Sequence, residues 1–405
     1  RGSGDRQLLA KGRNEPEGGR SDPSFSIWSA GMARHGWWFL FLALASGGWA
    51  QEVVVVYGAT PAGIAAALNV ARSGRTVALV EPSGNLGGML TGGLSYTDFR
   101  SLESLQGTFR DYMERVERHY RTRYGERSQQ LRDSFFGALA EPHVSLAVLE
   151  AMLAEHPSIQ VRRRTRLVSA EAAAGVVRRI RVQGPKGEEW LAARVFIDAS
   201  YEGDLAAAAG FDFRIGREST REYGERFAGH IYFKDGKILD GSTGAGDHKI
   251  QCYNFRVVMT EDPANSAPLP EPPGYRPERY ERILEGVRSG AILHPMSEAK
   301  NGVLRLQRLP NGKSDMNDVN TSPAGFGLPG QNWEYPAASA ERRAAVFEEH
   351  RLYALGLLYF LRNDVRLPEA FRAEARRWNL PKDEFAETGH FPPALYVREA
   401  RRFPG

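Results

Sequence analysis

The sequence predicts an α/β protein built on a parallel sheet, and the region after residue 51 carries that prediction. Residues 52–57 form a valine-rich run without alternation, as expected of a strand buried on both faces of a parallel sheet. The run enters a glycine-containing turn at 58–63 and then a helical pattern with Ile64 and Leu68 on one face. A second apolar strand follows at 76–80. Strand, turn, helix and strand together predict a βαβ unit.

Composition limits what this fold can do. The chain has 405 residues, 42% hydrophobic and 25% charged, which suits globular structure with enough material for two domains and excludes a wholly disordered or fibrous chain. The net charge of +4 is spread along the chain, so no footprint for nucleic-acid binding is present. The single cysteine, Cys252, cannot form an internal disulfide or build a metal site alone. Redox chemistry would therefore need a bound cofactor.

The first fifty residues differ from the rest. Residues 1–31 lack apolar periodicity and predict either a disordered segment or upstream sequence read through before Met32. Residues 32–50 combine a short basic start, an apolar run and small residues near the end, which predicts a secretory signal cleaved before Gln51. Alternatively, residues 1–50 are a genuine tail with an anchor or core segment. We expect an exported protein, periplasmic or extracellular, without a stable membrane span after cleavage, because the run is shorter than the about 20 residues of a spanning helix.

The turn of the βαβ unit has the residue types that bind a dinucleotide. Gly58 permits a tight turn, Gly63 permits close packing of helix on strand, and the helix N-terminus offers amides to a pyrophosphate. Glu81 ends the second strand, where it could accept hydrogen bonds from ribose hydroxyls and repel a 2′-phosphate. Thr60 replaces the middle glycine, and its hydroxyl could donate to phosphate. The alternative is a purely structural βαβ unit.

Two later features indicate which dinucleotide is bound. The doublet Gly87-Gly88 could lie against phosphate or ring edges, or be an ordinary glycine-rich turn. Short strands are predicted at 167–170, 176–182 and 190–195, and they lead into a second strand-turn-helix pattern at 194–204. A small antiparallel meander that returns to the nucleotide sheet is the layout of FAD domains of the glutathione-reductase type.

Several segments resemble the bacterial FAD-dependent oxidoreductases, whose members are sometimes labelled xanthan-lyase-like. The resemblance runs from about residue 52 to the end, and the combination of motifs is far more specific than any one of them. The segments that carry it are residues 58–67, 141–144, 197–205, 253–256, 309–315 and 389–402.

The resemblance implies a flavin, covalent or not, near the junction of two domains. Secreted members are common in that family, and their substrates are mostly undefined. We expect hydride transfer to FAD from a small or sugar-like substrate, with an unknown electron acceptor. Such FAD domains close with a further C-terminal strand, turn and helix, which are not found before residue 405, so the resemblance predicts a fragment or short member with an incomplete isoalloxazine half. By position it assigns the pyrophosphate to Gly58, Thr60 and Gly63, with Pro61 and Ala62 of the same turn also binding the cofactor. It assigns the ribose to Glu81, the flavin path to Gly87 and Gly88, the adenine to the Leu167 backbone, and the phosphate side to Ala199, Ser200 and Asp204.

The remaining chain predicts core helices and a second domain. Residues 103–124 have an apolar stripe at helical spacing, which we interpret as core. We expect residues 51–210 to form the FAD-binding domain with its meander. Residues 211–405 would be an inserted α+β substrate or cap domain, with β-type segments at 230–233 and 254–259 and a long helix over residues 340–361.

Candidate catalytic residues are few, since a flavin performs the hydride transfer and the protein supplies orientation and an acid or base. His143, Arg256, His390 and Arg398 are the candidates, with Tyr253 beside them. Each has a structural alternative: a helix-start histidine, a salt bridge on a strand for Arg256, or a buried loop contact for His390. No metal site is predicted. Two alternative functions are a flavin- or nucleotide-binding protein without turnover and an NAD-dependent dehydrogenase.

Overall fold

The computed structural model describes residues 52–403. The predicted signal segment at 32–50 and the residues before it, 1–31, lie outside the described residues. Within residues 52–403, no helix is both long enough and apolar enough to cross a membrane.

The described strands fall into sheets of different character. A six-stranded sheet has the order β3-β2-β1-β6-β5-β4, a four-stranded sheet has the order β11-β12-β13-β9, and two-stranded sheets pair β7 with β8 and β10 with β14. The strands are β1 (Glu52–Tyr57), β2 (Val77–Val80), β3 (Ile159–Arg162), β4 (Arg166–Ala173), β5 (Val176–Gly184), β6 (Gly187–Asp198), β7 (Phe233–Lys234), β8 (Lys237–Ile238), β9 (Val257–Thr260), β10 (Ser266–Ala267), β11 (His294–Ser297), β12 (Gly302–Arg308), β13 (Lys313–Asp318) and β14 (Leu380–Pro381).

The described helices range from single turns to one of 24 residues. They are α1 (Pro61–Arg72), α2 (Gly88–Thr91), α3 (Gly107–Tyr124), α4 (Gln129–Asp133), α5 (Pro142–Ala154), α6 (Asp204–Ala208), α7 (Thr220–Tyr223), α8 (Arg282–Arg288), α9 (Ala340–Asn363) and α10 (Glu369–Arg376).

The predicted α/β fold on a parallel sheet is confirmed. Strand β1 pairs in parallel with β2 on one side and with the second half of β6 on the other. The first half of β6 is antiparallel to β5, and β5 to β4, which is the predicted meander. Its hairpin turns lie at Ala174-Gly175, both at positive φ, and after Gly184, whose register partner is Gly187.

Both faces of β1 are covered, which explains its unbroken apolar run. Val54 and Val56 pack against α1, α3 and α5, whereas Val55 and Tyr57 pack against the meander and Leu205 of α6. Because successive side chains of a strand point to opposite faces, burial of both faces removes the alternation that a half-exposed strand would show.

A second core surrounds the four-stranded sheet. Strand β13 is antiparallel to β12 and β9, and their apolar side chains meet those of α8 and α9, for example Leu304 against the cluster that contains Leu357 and Phe360. The predicted long helix over residues 340–361 is confirmed as α9.

Three predicted element boundaries were wrong. Helix α3 starts at Gly107 rather than 103, because residues 102–104 form a separate 3-10 turn and Gly107 has φ +61°. Of the β-type segment predicted at 230–233, only the last residue lies in a strand, where it begins β7. Arg256 was expected on a strand, but β9 begins at the next residue, Val257.

Candidate functional site

A cavity of about 600 Å³ lies at the carboxyl ends of β1, β2 and β6. This edge is where parallel α/β sheets bind ligands, because the loops after adjacent strands diverge there. The opposite wall comes from the start of α9 and from residues 393–401. Among the residues predicted to bind the cofactor, those that line the cavity are Gly58, Thr60, Glu81, Gly88, Leu167, Ser200 and Asp204.

The predicted glycines allow close approach of backbone to backbone. Gly58 has φ +97°, and a Cβ there would stand 2.7 Å from the backbone of Ala199 and Ser200. A Cβ on Gly63 would stand 1.9 Å from the Gly58 carbonyl oxygen. The turn after β1 therefore packs directly on the end of β6, with Ala199 at the contact.

Thr60 caps α1, and its hydroxyl is engaged within the chain. The hydroxyl donates to the Ala199 carbonyl at 2.8 Å and accepts the Gly63 amide hydrogen at 3.2 Å. Pro61 has no amide hydrogen, so among the first residues of α1 the amide of Ala62 is the one without a partner in the described chain. That amide, at the positive end of a 12-residue helix, can still bind an anion.

Glu81 is buried and already accepts three hydrogen bonds. Its Oε2 accepts the Ala59 amide at 2.8 Å, and its Oε1 accepts the amide and the hydroxyl of Ser83 at 2.8 and 2.6 Å. Burial raises the pKa of Glu81 above its ordinary value, against the opposing effect of these donors. Since a carboxylate has about four acceptor positions, Oε2 retains capacity for one ribose hydroxyl.

The glycine doublet lies beneath a tyrosine. Gly87 donates its amide to the Ala59 carbonyl at 2.7 Å, and Gly88 lines the cavity. The Met89 amide donates to the Tyr201 hydroxyl at 2.9 Å, and a Cβ on Gly88 would stand 2.4 Å from that oxygen. Tyr201, which follows β6, therefore joins the loops after β2 and β6.

The Leu167 amide, predicted to face an adenine, is already engaged. It donates to the Tyr57 hydroxyl at 3.2 Å. Leu167 still lines the cavity, so an adenine would meet it through other atoms.

The turn after β6 satisfies most of its own polar groups. Ser200 donates its hydroxyl to Asp198 Oδ1 at 2.6 Å and accepts the amides of Gly203 and Asp204. Asp204 forms ion pairs with Arg343 at 2.7 Å and with Arg401 at 2.6 Å. Burial alone would raise the pKa of Asp204. The two guanidinium groups outweigh that effect and hold the pKa below its ordinary value.

Sequence reasoning missed Glu202, which also lines the cavity. Burial and the nearby Asp204 charge raise the pKa of Glu202 to about 7, against the attraction of Arg343 and Arg401. Glu202 lies within the motif at 197–205, so that motif was an available signal. Arg401 likewise lies within the motif at 389–402. Arg343 had no such signal, because it lies outside every motif and reaches the cavity from a distant part of the chain.

The candidate catalytic residues do not line this cavity. His143 Nδ1 lies 2.7 Å from Glu384 Oε1, and its backbone amide donates to Glu384 Oε2 at 3.0 Å. Burial opposes the imidazolium charge, but the contact with Glu384 holds the pKa of His143 above its ordinary value. His390, at φ +65°, places Nδ1 3.1 Å from the Glu384 carbonyl oxygen. Arg398 donates to Asn254 Oδ1 at 2.9 Å.

His143 belongs to a partly buried charge cluster around Lys313. The fully buried Lys313 ammonium lies 2.8 Å from Glu141, 2.8 Å from Asp383 and 2.7 Å from Glu384. The cluster of Glu141, His143, Asp383 and Glu384 has the spacing of a metal site, but the ammonium already contacts its three carboxylates. Lys313 thus supplies the counter-charge.

Arg256 forms a buried structural ion pair. Its Nε and Nη2 donate to the two oxygens of Asp315 at 2.9 and 2.8 Å, and Nη2 also donates to Gln307. Asp315 in turn accepts the amides of Ser95 and Tyr96 at 3.0 and 3.1 Å. Of the two interpretations of Arg256, catalytic residue or salt bridge, the structure thus shows the salt bridge.

The residues at the cavity fit a dinucleotide. Gly58 allows the tight turn, and Glu81 retains an acceptor at the end of β2; both line the cavity. Ala62, two residues after the cavity-lining Thr60, offers an amide at a helix N-terminus. In βαβ nucleotide sites, a glycine of this kind forms the tight turn, a helix N-terminal amide binds the pyrophosphate, and an acidic residue at the end of the second strand binds the ribose.

Comparison with known proteins identifies the family. No curated protein sequence matches the chain. Solved structures that match part of the chain include the p-nitrophenol 4-monooxygenase PnpA from Pseudomonas putida DLL-E4, which is 15% identical with TM-score 0.33 over 75% of this chain and 63% of that one. BexE, studied for oxidation during BE-7585A biosynthesis, is 18% identical with TM-score 0.34 over 68% of this chain and 45% of BexE. The Bacillus halodurans glycerol-3-phosphate dehydrogenase complexed with FAD is 12% identical with TM-score 0.27, over 44% of this chain and 42% of that one.

This chain thus spans less than two thirds of the length of each of these proteins. The family described as FAD dependent oxidoreductase matches residues 53–405, nearly all of the chain. The cofactor of this family is FAD, in agreement with the resemblance of the motifs. The chain belongs to the FAD-dependent oxidoreductase family.

Proposed function

We propose that this protein oxidises a small or sugar-like molecule by hydride transfer to FAD, and that a separate acceptor then removes the electrons. The observation that carries the proposal is the cavity at the carboxyl ends of β1, β2 and β6, into which the predicted nucleotide-binding residues converge. Residues 51–210 would form the FAD domain and residues 211–405 the substrate or cap domain. Both ranges contribute to the cavity wall.

The proposed cofactor contacts follow from the unfilled hydrogen-bonding positions. The Ala62 amide binds a pyrophosphate oxygen, and Glu81 Oε2 accepts a ribose hydroxyl. Arg343 and Arg401 face Asp204 and Glu202, so while Glu202 is protonated, below about pH 7, this wall has an excess of positive charge that favours a diphosphate. When bound, FAD supplies the hydride acceptor.

Glu202 is the proposed proton-exchanging group. It lines the cavity, and its pKa of about 7 lets the carboxyl hold or release a proton near neutral pH. General acids and bases work best when their pKa lies near the working pH. The catalytic assignments of His143, Arg256, His390 and Arg398 have less support, since all four make internal contacts outside the cavity lining.

A flavin-binding protein without turnover is the second candidate. This candidate is favoured because two candidate catalytic groups already pair with carboxylates of the chain. His143 contacts Glu384, and Arg256 contacts Asp315. The family match assigns FAD, so the NAD-dependent alternative is not retained.

The visible spectrum of the purified protein tests the proposal. Flavin absorption in near-stoichiometric amount, before and after denaturation, is expected, together with anaerobic bleaching by one member of a panel of small alcohols, amines and sugars. Bound flavin that no compound bleaches would favour the binding protein. Absence of bound flavin after reconstitution with FAD would refute both candidates.

We also propose export through the segment at 32–50. Expression of residues 32–405 in a bacterial host should give a periplasmic or extracellular product whose first residue is Gln51. Edman sequencing after cell fractionation measures this. An uncleaved product retained in the cytoplasm would contradict the proposal.

A further inference from the structure

Tyr201 occupies a position in the cofactor cavity that its hydrogen bonding does not fully explain. It follows Ser200 in the turn after β6, lines the cavity and is 38% exposed. Its hydroxyl accepts the Met89 amide hydrogen at 2.9 Å, and its ring packs on Gly88. The side chain is therefore fixed at the oxygen while part of its surface faces the cavity.

The hydroxyl still has a hydrogen to donate. A tyrosine hydroxyl can donate one hydrogen bond as well as accept. Within residues 52–403, the Met89 contact is the one hydrogen bond of this hydroxyl, and there it is the acceptor. Burial raises the pKa of Tyr201 to about 12, so the hydroxyl keeps its hydrogen at any physiological pH.

Three other hydroxyls of the cavity differ in this respect. Thr60 donates to the Ala199 carbonyl, Ser200 donates to Asp198, and Ser83 donates to Glu81. Tyr57 resembles Tyr201 because it accepts the Leu167 amide, but Tyr57 is only 3% exposed. Tyr335 also lines the cavity and has a hydroxyl hydrogen to donate, but no hydrogen bond among residues 52–403 fixes its hydroxyl. Tyr201 thus combines a free hydroxyl hydrogen, an exposed surface in the cavity and a hydroxyl held in place by a backbone amide.

We propose that Tyr201 is a cofactor-binding residue whose hydroxyl, held in place by the Met89 amide, donates a hydrogen bond to an oxygen atom of the bound FAD. The proposal rests on the proposed function, because it needs FAD in this cavity. The proposal also requires glycine at position 88, because a Cβ there would lie 2.4 Å from the hydroxyl oxygen and displace the phenol.

The test compares the full chain with Tyr201→Phe, which removes the hydroxyl and keeps the ring. The matched control is Tyr223→Phe, at a tyrosine that is 60% exposed and outside the cavity lining. Flavin is removed from each protein, and FAD is titrated while its fluorescence is followed. Thermal melting of each apoprotein shows that it is folded.

Tyr201→Phe should raise the Kd for FAD about tenfold or more, because a hydrogen bond to a charged or strongly polar oxygen is lost. The Tyr223→Phe control should bind as the unchanged protein does. An unchanged Kd in a folded Tyr201→Phe protein would overturn the proposal. Tighter binding would also overturn it, because the phenol would then compete with FAD for the Met89 amide. Failure of the unchanged protein to bind FAD would overturn the proposed function as well, so the two failures are distinguishable.

Discussion

Replacement of Lys313 by methionine should destabilise the protein strongly at neutral pH and much less in mild acid. The ammonium is fully buried and contacts Glu141, Asp383 and Glu384, of which the two glutamates are each 1% exposed. Methionine keeps the length and the apolar stem but removes the charge. The variant therefore leaves two buried carboxylates without the ammonium, and of these Glu384 keeps only its contact with His143.

The expected magnitude follows from proton uptake. Loss of one partner of a buried ion pair costs about 3–5 kcal/mol. A carboxylate can avoid that loss by binding a proton, which costs about 3.7 kcal/mol at pH 7 for a glutamate of ordinary pKa, but about 1 kcal/mol at pH 5. The loss in Lys313→Met should thus be about 4 kcal/mol at pH 7 and about 1–2 kcal/mol at pH 5.

Urea denaturation followed by tryptophan fluorescence at both pH values measures the free energy of unfolding. Lys300→Met is the matched control, because Lys300 is exposed and should change stability by less than about 0.5 kcal/mol. A double variant, Lys313→Met with Glu384→Gln, should recover part of the loss at pH 7. If Lys313→Met lowered the free energy of unfolding equally at pH 7 and pH 5, the reasoning would be refuted, because proton uptake would then play no part.

Three further predictions concern the cavity. Glu81→Gln should raise the Kd for FAD about tenfold, measured by fluorescence titration, because a charged acceptor for the ribose is lost; an unchanged Kd would contradict the ribose assignment. Asp204→Asn should lower the free energy of unfolding by about 2 kcal/mol at pH 7. Because the pKa of Asp204 is lowered in the folded protein, this difference should disappear as pH falls through that pKa, and a difference that persists in acid would contradict the ion-pair assignment. FAD affinity should fall as pH rises through about 7, since ionised Glu202 repels the diphosphate, and Glu202→Gln should remove that pH dependence; an unchanged profile in the variant would exclude Glu202 as its origin.

Local patterns predicted the sheet and part of the cavity well. The valine run of β1 predicted burial on both faces, and the spacing from Gly58 to Glu81 predicted a strand, turn, helix and strand that the structure shows. These features depend on residues close together in sequence, so periodicity and turn chemistry were sufficient.

The contacts that complete the cavity depend on residues far apart in sequence. Thr60 donates to Ala199, which lies 139 positions later, and Arg343 pairs with Asp204 across another 139 positions. No periodicity links such residues, so the contact of the Thr60 hydroxyl with Ala199 was not predicted and Arg343 was missed. Arg256 is a further example. Its partner Asp315 lies on a strand, and no local pattern in the sequence links that strand to Arg256.

The wide sequence range of the cavity wall, from Tyr57 to Arg401, has a consequence for how the protein matures. Loop closure between distant residues is slow, and β1 meets β6 only after more than a hundred intervening residues have been synthesised. The FAD site should therefore be among the last regions to assemble. FAD should stabilise the finished protein by mass action without accelerating the early steps of folding, so flavin supply should affect yield mainly after the sheet has formed.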